Sequence, residues 1–310
     1  MGKIMNGNGL AEEDILYEDA SIIVCRKRAG MATQTARLGE QDLESALKNY
    51  WKASYVAVIH RLDQPVEGIL VFARTKEAAA GLSRQSAGQI MNKKYYAVAI
   101  MDAQRMDFFR GNSGMAYSFG NGPRMEGIGE APAFRIGASA ADFFMEEGKE
   151  QVLVDYLQRN GRENISKVVD KNAKDGKRAE LIYEVLAARE VLWENGDDTD
   201  ISGMETEAAV RKKIALLRVQ LKTGRHHQIR VQMAHGGMPL LGDGKYGSME
   251  SKDYSRRMGI KNIALCAYSL EFIHPLTGRK MNFEITPKGM AFAPFFQCAC
   301  CKVRANTQIR

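Results

Sequence analysis

The chain has 310 residues, 45% hydrophobic and 26% charged, which is the composition of a folded protein with one large domain or two smaller ones. No apolar run approaches the ~20 residues of a bilayer-spanning helix, and the N-terminus lacks the hydrophobic core of a signal peptide, so we expect a cytoplasmic protein. The net charge of +7 favours a polyanionic partner, because lysines and arginines that meet phosphates release counterions, but charge alone does not establish one.

The first hundred residues predict short strands and helices. Leu43, Ala46, Leu47 and Tyr50 have the spacing of one apolar helical face. A loop rich in charged side chains follows a strand that ends at Ile59. The other predicted strands cover residues 15–17, 22–25, 68–73 and 95–100, and the predicted helices cover residues 41–51 and 76–90.

The rest of the chain predicts mostly hairpin-linked strands. The pattern dissolves from about residue 105 to 150, which indicates an insertion, and an acidic stretch at residues 194–207 is typical of a solvated hairpin tip. A helix from Thr223 through His235 would place His226, His227 and Arg230 on one face. Strands are predicted at residues 152–157, 179–190, 213–222, 262–274 and 280–286. The whole favours an α+β fold with a large mixed, mostly antiparallel sheet and flanking helices.

Two segments carry most of the polar chemistry. The first begins His60-Arg61-Leu62-Asp63 and lies in a loop between two apolar strands, where a rigid scaffold presents side chains to a cleft. The second is Thr-Gly-Arg-His-His-Gln-Ile-Arg at residues 223–230, followed by G-x-P-x-x-GD-x-x-YG at residues 237–247.

These motifs together resemble the RluA-like family of RNA pseudouridine synthases. The resemblance extends to the hairpin at residues 15–30, to Lys-Lys-Tyr-Tyr-Ala-Val at residues 93–98 and to the strand at residues 179–186. It covers about residues 14–103 and 150–290, with the motifs in the family's order. A lone HRLD would be weak, whereas this ordered set is specific.

The resemblance implies an enzyme that converts uridine to pseudouridine in ribosomal or transfer RNA without a cofactor. It implies a pseudouridine-synthase-like catalytic domain at residues 14–290, with an insertion at about 105–150 and a basic cleft across its sheet. An N-terminal tail at residues 1–13 and a basic, cysteine-containing tail at residues 291–310 would flank that domain, and a monomer is favoured.

The resemblance also assigns the site residues. Asp63 is the catalytic carboxylate, which would either attack the sugar or the base or remove a ribose proton; these alternatives stay open. Arg230 would pair with Asp63 and keep it ionised, and Tyr95 would stack on the target base and could take part in the later proton removal. The predicted RNA-binding residues are His60, Arg61, Arg225 and His227, and His60 or Arg61 could fill the gap left by a flipped uridine.

Each of these residues also has an ordinary structural interpretation. A loop aspartate by itself is usually a turn or capping residue, and Arg230 alone would be a surface charge on a helix. Val66 and Glu67 stand where the family often has Thr-Ser, Arg28 where it has Pro, and Gln232 where it has His, so the details of RNA contact are not transferred.

Two rival functions and one metal hypothesis follow from the same residues. A catalytically silent RNA-binding protein could share the fold. A glycosidase would need a second acid, for which Glu67 is the nearest candidate. The histidines lack acidic or thiol partners at a ligand spacing, so no metal site is predicted. Cys298, Cys300 and Cys301 lack the separated pairs of a structural zinc site, and we interpret them as a reduced cysteine-rich tail.

Overall fold

The computed structural model describes residues 10–35, 40–101, 148–193 and 210–296, and these form two compact units. Unit 1 contains the described residues up to Ala97, the segment Val219–Leu221 and the described residues from Ser255 onward. Unit 2 contains the described residues of Val98–Arg218 and Lys222–Tyr254. Nearly all of the predicted insertion and the whole acidic stretch at residues 194–207 lie outside the described residues.

The described residues form eleven strands and five α-helices. The strands are β1 Ile15–Glu18, β2 Ile22–Lys27, β3 Ala57–Val58, β4 Glu67–Ala73, β5 Asn92–Ile100, β6 Glu150–Asn160, β7 Ile165–Val169, β8 Lys177–Trp193, β9 Val210–Leu221, β10 Leu265–Ile273 and β11 Lys280–Glu284. The helices are α1 Leu43–Trp51, α2 Lys76–Ala87, α3 Gln228–His235, α4 Met249–Arg257 and α5 Ala293–Phe296.

Unit 1 is a mixed sheet with a helix on each face. Its strand order is β1-β2-β4-β10-β5, with β3 beside β4 and β11 beside β10, and β4 and β10 run parallel while the other neighbours run antiparallel. Because successive strand residues point to opposite faces, Val24 and Val71 pack against α2, whereas Cys25 and Leu70 pack against α1. Strands β2 and β4 are therefore buried on both sides, as the apolar runs at residues 22–25 and 68–73 predict.

The close approach of β4 to β10 requires glycine at position 68. Gly68 has a φ of +149°, and a Cβ atom built there would lie 2.5 Å from the Ala267 Cβ and 2.6 Å from its backbone nitrogen. A side chain would thus combine backbone strain with a clash that only a shift of β10 could relieve.

We expect Gly68→Ala to lower the free energy of unfolding by about 2–4 kcal/mol, from strain and overpacking together. Urea unfolding followed by circular dichroism measures the change. Gly161→Ala is the matched control, because nothing lies within 4 Å of a Cβ at that position. Equal stability of the two variants would show that β10 moves aside at no cost.

Unit 2 is built on an antiparallel hairpin. Strand β6 pairs antiparallel with β7 and with β8, and β9 follows β8 in the strand order. Leu157, Val168 and Ala179 from these strands pack with Val231 of α3 and with Tyr246. This small core holds α3 against the hairpin.

The α+β class and the mixed, mostly antiparallel strand pairing are confirmed, whereas the basic cleft stays a prediction. The predicted helix at residues 223–235 is wrong in its first five residues, since α3 begins at Gln228. The Gln228 carboxamide oxygen accepts hydrogen bonds from the Arg225 backbone N–H and the Thr223 hydroxyl, both at 2.9 Å, and so stabilises a turn instead.

The packed part of the chain also extends beyond the predicted domain bounds. Leu10 is buried, and Phe292 and Phe295 are buried within a segment assigned to the C-terminal tail. Strand β7 and helix α4 were not predicted. Among the described residues, no helix combines the length and apolar character needed to cross a membrane.

Candidate active site

The loop that carries Asp63 in unit 1 connects β3 to β4 and is held by local hydrogen bonds. The Asp63 carbonyl accepts the Val66 N–H at 3.0 Å, and the Thr33 hydroxyl donates to the Leu62 carbonyl at 3.1 Å and accepts its N–H at 3.2 Å. Asp63 is half-buried and Arg61 is exposed. The loop therefore presents a partly accessible carboxylate from a fixed backbone.

Lys27 supports this loop from inside unit 1. Its side chain is fully buried, and its Nζ donates to the carbonyls of Arg28 at 3.2 Å, Met31 at 2.7 Å and Gln64 at 3.1 Å. Burial lowers the pKa of Lys27 to about 7, while the charges of Asp63 and Glu67 act to raise it. One buried amine thus ties the end of β2 to the residue that follows Asp63.

We expect Lys27→Met to lower the free energy of unfolding at neutral pH by about 3 kcal/mol, because three carbonyls lose their donor. The effect should depend on pH. Since the folded-state pKa is about 7 and that of a free lysine is about 10.4, the unfolded state binds more protons between these values. Wild-type stability should rise across that window relative to the variant.

Urea unfolding at pH 6.5, 8 and 9.5 tests this expectation. Lys76→Met is the control, because Lys76 is exposed in the first turn of α2. A difference between wild type and Lys27→Met that stayed constant over the three pH values would contradict the assigned titration of Lys27.

Glu67 is committed to a structural role. Its carboxylate pairs with the Arg26 guanidinium at 2.7 Å and accepts the backbone N–H groups of Lys288 at 3.0 Å and Gly289 at 3.1 Å. Both side chains of the ion pair are buried. Arg26 and Glu67 therefore join β2, β4 and the segment after β11, and the Glu67 carboxylate is not available as a second catalytic acid.

Tyr95 and His60 are both held in neutral form. Tyr95 lies on β5 opposite Ala267 and is buried, and burial together with the Asp63 charge raises the pKa of its phenol well above the usual value. Burial and the nearby Lys93 ammonium lower the pKa of His60 well below its usual value. The buried His60 Nε2 has no hydrogen-bond partner among the described residues.

Arg230 is fixed within unit 2 by an aspartate that the sequence did not assign. Its Nε and Nη2 donate to the two carboxylate oxygens of Asp243, both at 2.8 Å, and its guanidinium lies 5.0 Å from the centre of the Tyr246 ring. Asp243 also accepts the backbone N–H groups of Lys245 at 3.0 Å and Tyr246 at 3.1 Å. The GD-x-x-YG motif is thus a turn that orients a buried arginine.

The predicted pairing of Arg230 with Asp63 joins residues of different units and stays a prediction. The motif that contains Asp243 was recognised from the sequence without a role. A Gly-Asp turn motif that closely follows an arginine-containing motif suggests a local partner for the arginine, but the 13-residue separation leaves the pair unspecified.

His226 and His227 precede α3 and do not share a helical face with Arg230. His227 has a φ of +54°, and its Nδ1 lies 2.8 Å from the Tyr246 hydroxyl, which accepts the Ser166 N–H at 2.8 Å. The hydroxyl hydrogen can therefore point to Nδ1, as in an imidazole protonated at Nε2. His226 lies between the Ser166 hydroxyl at 2.9 Å and the Asn164 carboxamide oxygen at 3.0 Å.

The remaining candidates concern RNA binding and metal. Arg225 is exposed, and its Nε donates to the Arg178 carbonyl at 2.9 Å. Among the described residues, no group of three His, Cys, Asp or Glu side chains could hold a metal ion. Cys298, Cys300 and Cys301 lie outside the described residues.

Comparison with known proteins identifies a family for the chain. Residues 21–235 match the family described as RNA pseudouridylate synthase. The chain is 26% identical over 274 residues to tRNA pseudouridine synthase C of Vibrio vulnificus, covering 86% of this chain and 88% of that protein. It is 27% identical over 283 residues to ribosomal large subunit pseudouridine synthase D of Zymomonas mobilis, covering 87% and 68% respectively.

A solved structure supports the same fold. Human RNA pseudouridylate synthase domain containing 1 superposes with a TM-score of 0.56 at 16% identity, over 88% of this chain and 83% of that one. The matched family region contains the Asp63 loop, Tyr95 and Arg230. The chain therefore belongs to the RNA pseudouridylate synthase family of RNA uridine isomerases.

Proposed function

We propose that this protein isomerises uridine to pseudouridine in transfer or ribosomal RNA, with Asp63 as the catalytic carboxylate and without a cofactor. The observation that carries the proposal is the partly accessible Asp63 on a loop held by Thr33 and Lys27, with the protonated Tyr95 close enough for the Asp63 charge to raise its pKa. The names of the bacterial relatives support transfer and ribosomal RNA as the substrate classes.

The proposed reaction divides the work among three residues. Asp63 either attacks the sugar or the base or takes a ribose proton, so that the glycosidic bond breaks and the retained uracil can turn. Ring carbon five then bonds to the ribose, and its hydrogen leaves as a proton. Tyr95 stacks on the base, and its phenol remains protonated at neutral pH. Arg230, oriented by Asp243, is assigned to Asp63 and would keep that carboxylate ionised.

The RNA contacts are proposed on chemical grounds. Arg61 is exposed beside Asp63 and is assigned the place of the extruded uridine in the RNA stack. His60 is assigned to the RNA because it precedes the exposed Arg61 in the loop that carries Asp63. Arg225 and His227 are assigned to the RNA because they flank the turn before α3.

The decisive experiment uses RNA tritiated at carbon five of uracil. The protein should release tritium into water while the base stays in the RNA, and separate transfer and ribosomal RNA fractions distinguish the two substrate classes. Release of free uracil would indicate a glycosidase, which the engagement of Glu67 already disfavours. An RNA gel shift without tritium release from any fraction would indicate the silent binding protein.

A further inference from the structure

The segment from Arg159 to Arg178 in unit 2, here called the basic hairpin, concentrates positive charge at the surface. It includes the end of β6, all of β7, the loop between β7 and β8, and the first two residues of β8. It contains seven basic and three acidic side chains, which leaves a net charge of +4. The basic residues are all exposed: Arg159, Arg162, Lys167, Lys171, Lys174, Lys177 and Arg178.

These cations are mostly not neutralised by the protein itself. Arg178 forms an ion pair with Glu180 at 2.5 Å. The other six basic side chains have no ion-pair partner within the described ranges. The positive charges of the basic hairpin repel one another. This repulsion decreases when a polyanion binds the hairpin and replaces the small counterions around it. The basic hairpin therefore suits a partner with regularly spaced negative charges.

The basic hairpin is bonded to the segment of unit 2 that carries Arg230. At its tip, the Asn164 carbonyl accepts the Lys245 ammonium at 2.8 Å, and the Asn164 side chain bonds to His226 at 3.0 Å. The Ser166 backbone N–H donates to the Tyr246 hydroxyl at 2.8 Å. These hydrogen bonds hold the basic hairpin against the turn before α3 and against the GD-x-x-YG turn.

We propose that the basic hairpin binds phosphates of the RNA substrate at positions outside the target uridine, an inference that rests on the proposed function. Phosphate contacts set the register of a nucleic acid without reading its sequence. Because the hairpin is bonded to the segment around Arg230, each contact there fixes the RNA relative to that arginine. The hairpin contributes affinity and register and takes no part in the chemical step.

The test compares two variants that each lose three positive charges. Lys167→Gln/Lys171→Gln/Lys174→Gln changes the basic hairpin, and Lys52→Gln/Lys76→Gln/Arg84→Gln changes exposed residues of unit 1. Binding of full-length RNA is measured by gel shift over a series of salt concentrations. A loss of three phosphate contacts should reduce the slope of log K against log salt by about two to three for the hairpin variant. The control variant should keep the wild-type slope.

Steady-state tritium release supplies a second readout. The hairpin variant should show a KM raised about tenfold at an unchanged kcat, because saturating RNA restores occupancy. Equal slopes and equal KM values for the two variants would overturn the proposal, including in the case that an acidic protein is the true partner. Failure of the proposed function would give a different result from failure of the hairpin proposal. The wild-type protein would then release no tritium, although the salt dependence of RNA binding could still be measured.

If the triple variant does not fold, Lys171→Gln/Lys174→Gln replaces it. Both residues lie in the loop between β7 and β8, where their side chains are exposed and bond to no described group. The slope should then decrease by about one to two. An unchanged slope for this pair would also overturn the proposal.

Discussion

Asp63→Asn should reduce tritium release by at least ~10³-fold, while RNA affinity stays within about twofold of wild type. Asparagine keeps nearly the shape and hydrogen-bonding reach of aspartate, but it is a poor nucleophile and a poor base. Both versions of the proposed mechanism therefore fail in this variant. The fold should persist, because the Asp63 loop is held through backbone groups and through Thr33 and Lys27.

Single-turnover tritium release and an RNA gel shift, made on the same preparation, measure the two quantities. Glu77→Gln is the matched control, since it makes the same carboxylate-to-carboxamide change at an exposed position of α2 in unit 1, outside the basic hairpin. Tritium release by Asp63→Asn within tenfold of the wild-type rate would remove Asp63 from the mechanism. Loss of RNA binding in step with activity would show that the substitution acts through the substrate complex.

Asp243→Ala should have a large effect on both stability and activity. It leaves the Arg230 guanidinium buried without its bidentate partner, which costs about 3–5 kcal/mol of unfolding free energy for a pair of this kind. It also removes the acceptor of the Lys245 and Tyr246 N–H groups, so the turn that faces the Arg230 guanidinium loosens. If Arg230 acts on Asp63, kcat should fall about 10²-fold or more with a smaller change in KM.

A second pair of variants separates stability from chemistry. Arg230→Met combined with Asp243→Asn removes both charges of the buried ion pair, while the asparagine Oδ1 can still accept the Lys245 and Tyr246 N–H groups. This double variant should recover most of the unfolding free energy but remain inactive. A wild-type kcat in Asp243→Ala, or activity in the double variant, would show that a fixed Arg230 is not needed.

Local sequence patterns were sufficient where structure is set by near neighbours. The apolar runs of β2 and β4 and the spacing of Leu43 and Leu47 predicted buried strands and a helix, because burial on both faces leaves few polar positions. Helix α4 escaped prediction since its sequence, MESKDYSRR, is almost entirely polar. Strand β7 is only five residues long and lies in a strongly charged segment.

The candidate site residues could be predicted from the sequence where they lie in recognisable motifs. The motifs singled out Asp63, Tyr95 and Arg230, but their surroundings depend on contacts far apart in sequence. Lys27 is a lysine in a strand whose burial follows only from three carbonyl partners, the farthest at Gln64. The start of α3 depends on the Gln228 side chain, which accepts hydrogen bonds from the preceding turn in a way that helix propensity does not anticipate.

The position of β10 between β4 and β5 has a consequence for synthesis of the protein. During translation, β4 ends at Ala73 and β5 ends at Ile100, whereas β10 begins only at Leu265, yet β4 and β5 each need β10 as their neighbour. Until then the Gly68 edge of β4 offers unpaired backbone groups to other chains. A nascent chain that stops before residue 265 therefore lacks the neighbour of β4, the strand that follows the Asp63 loop, and its exposed strand edge favours aggregation.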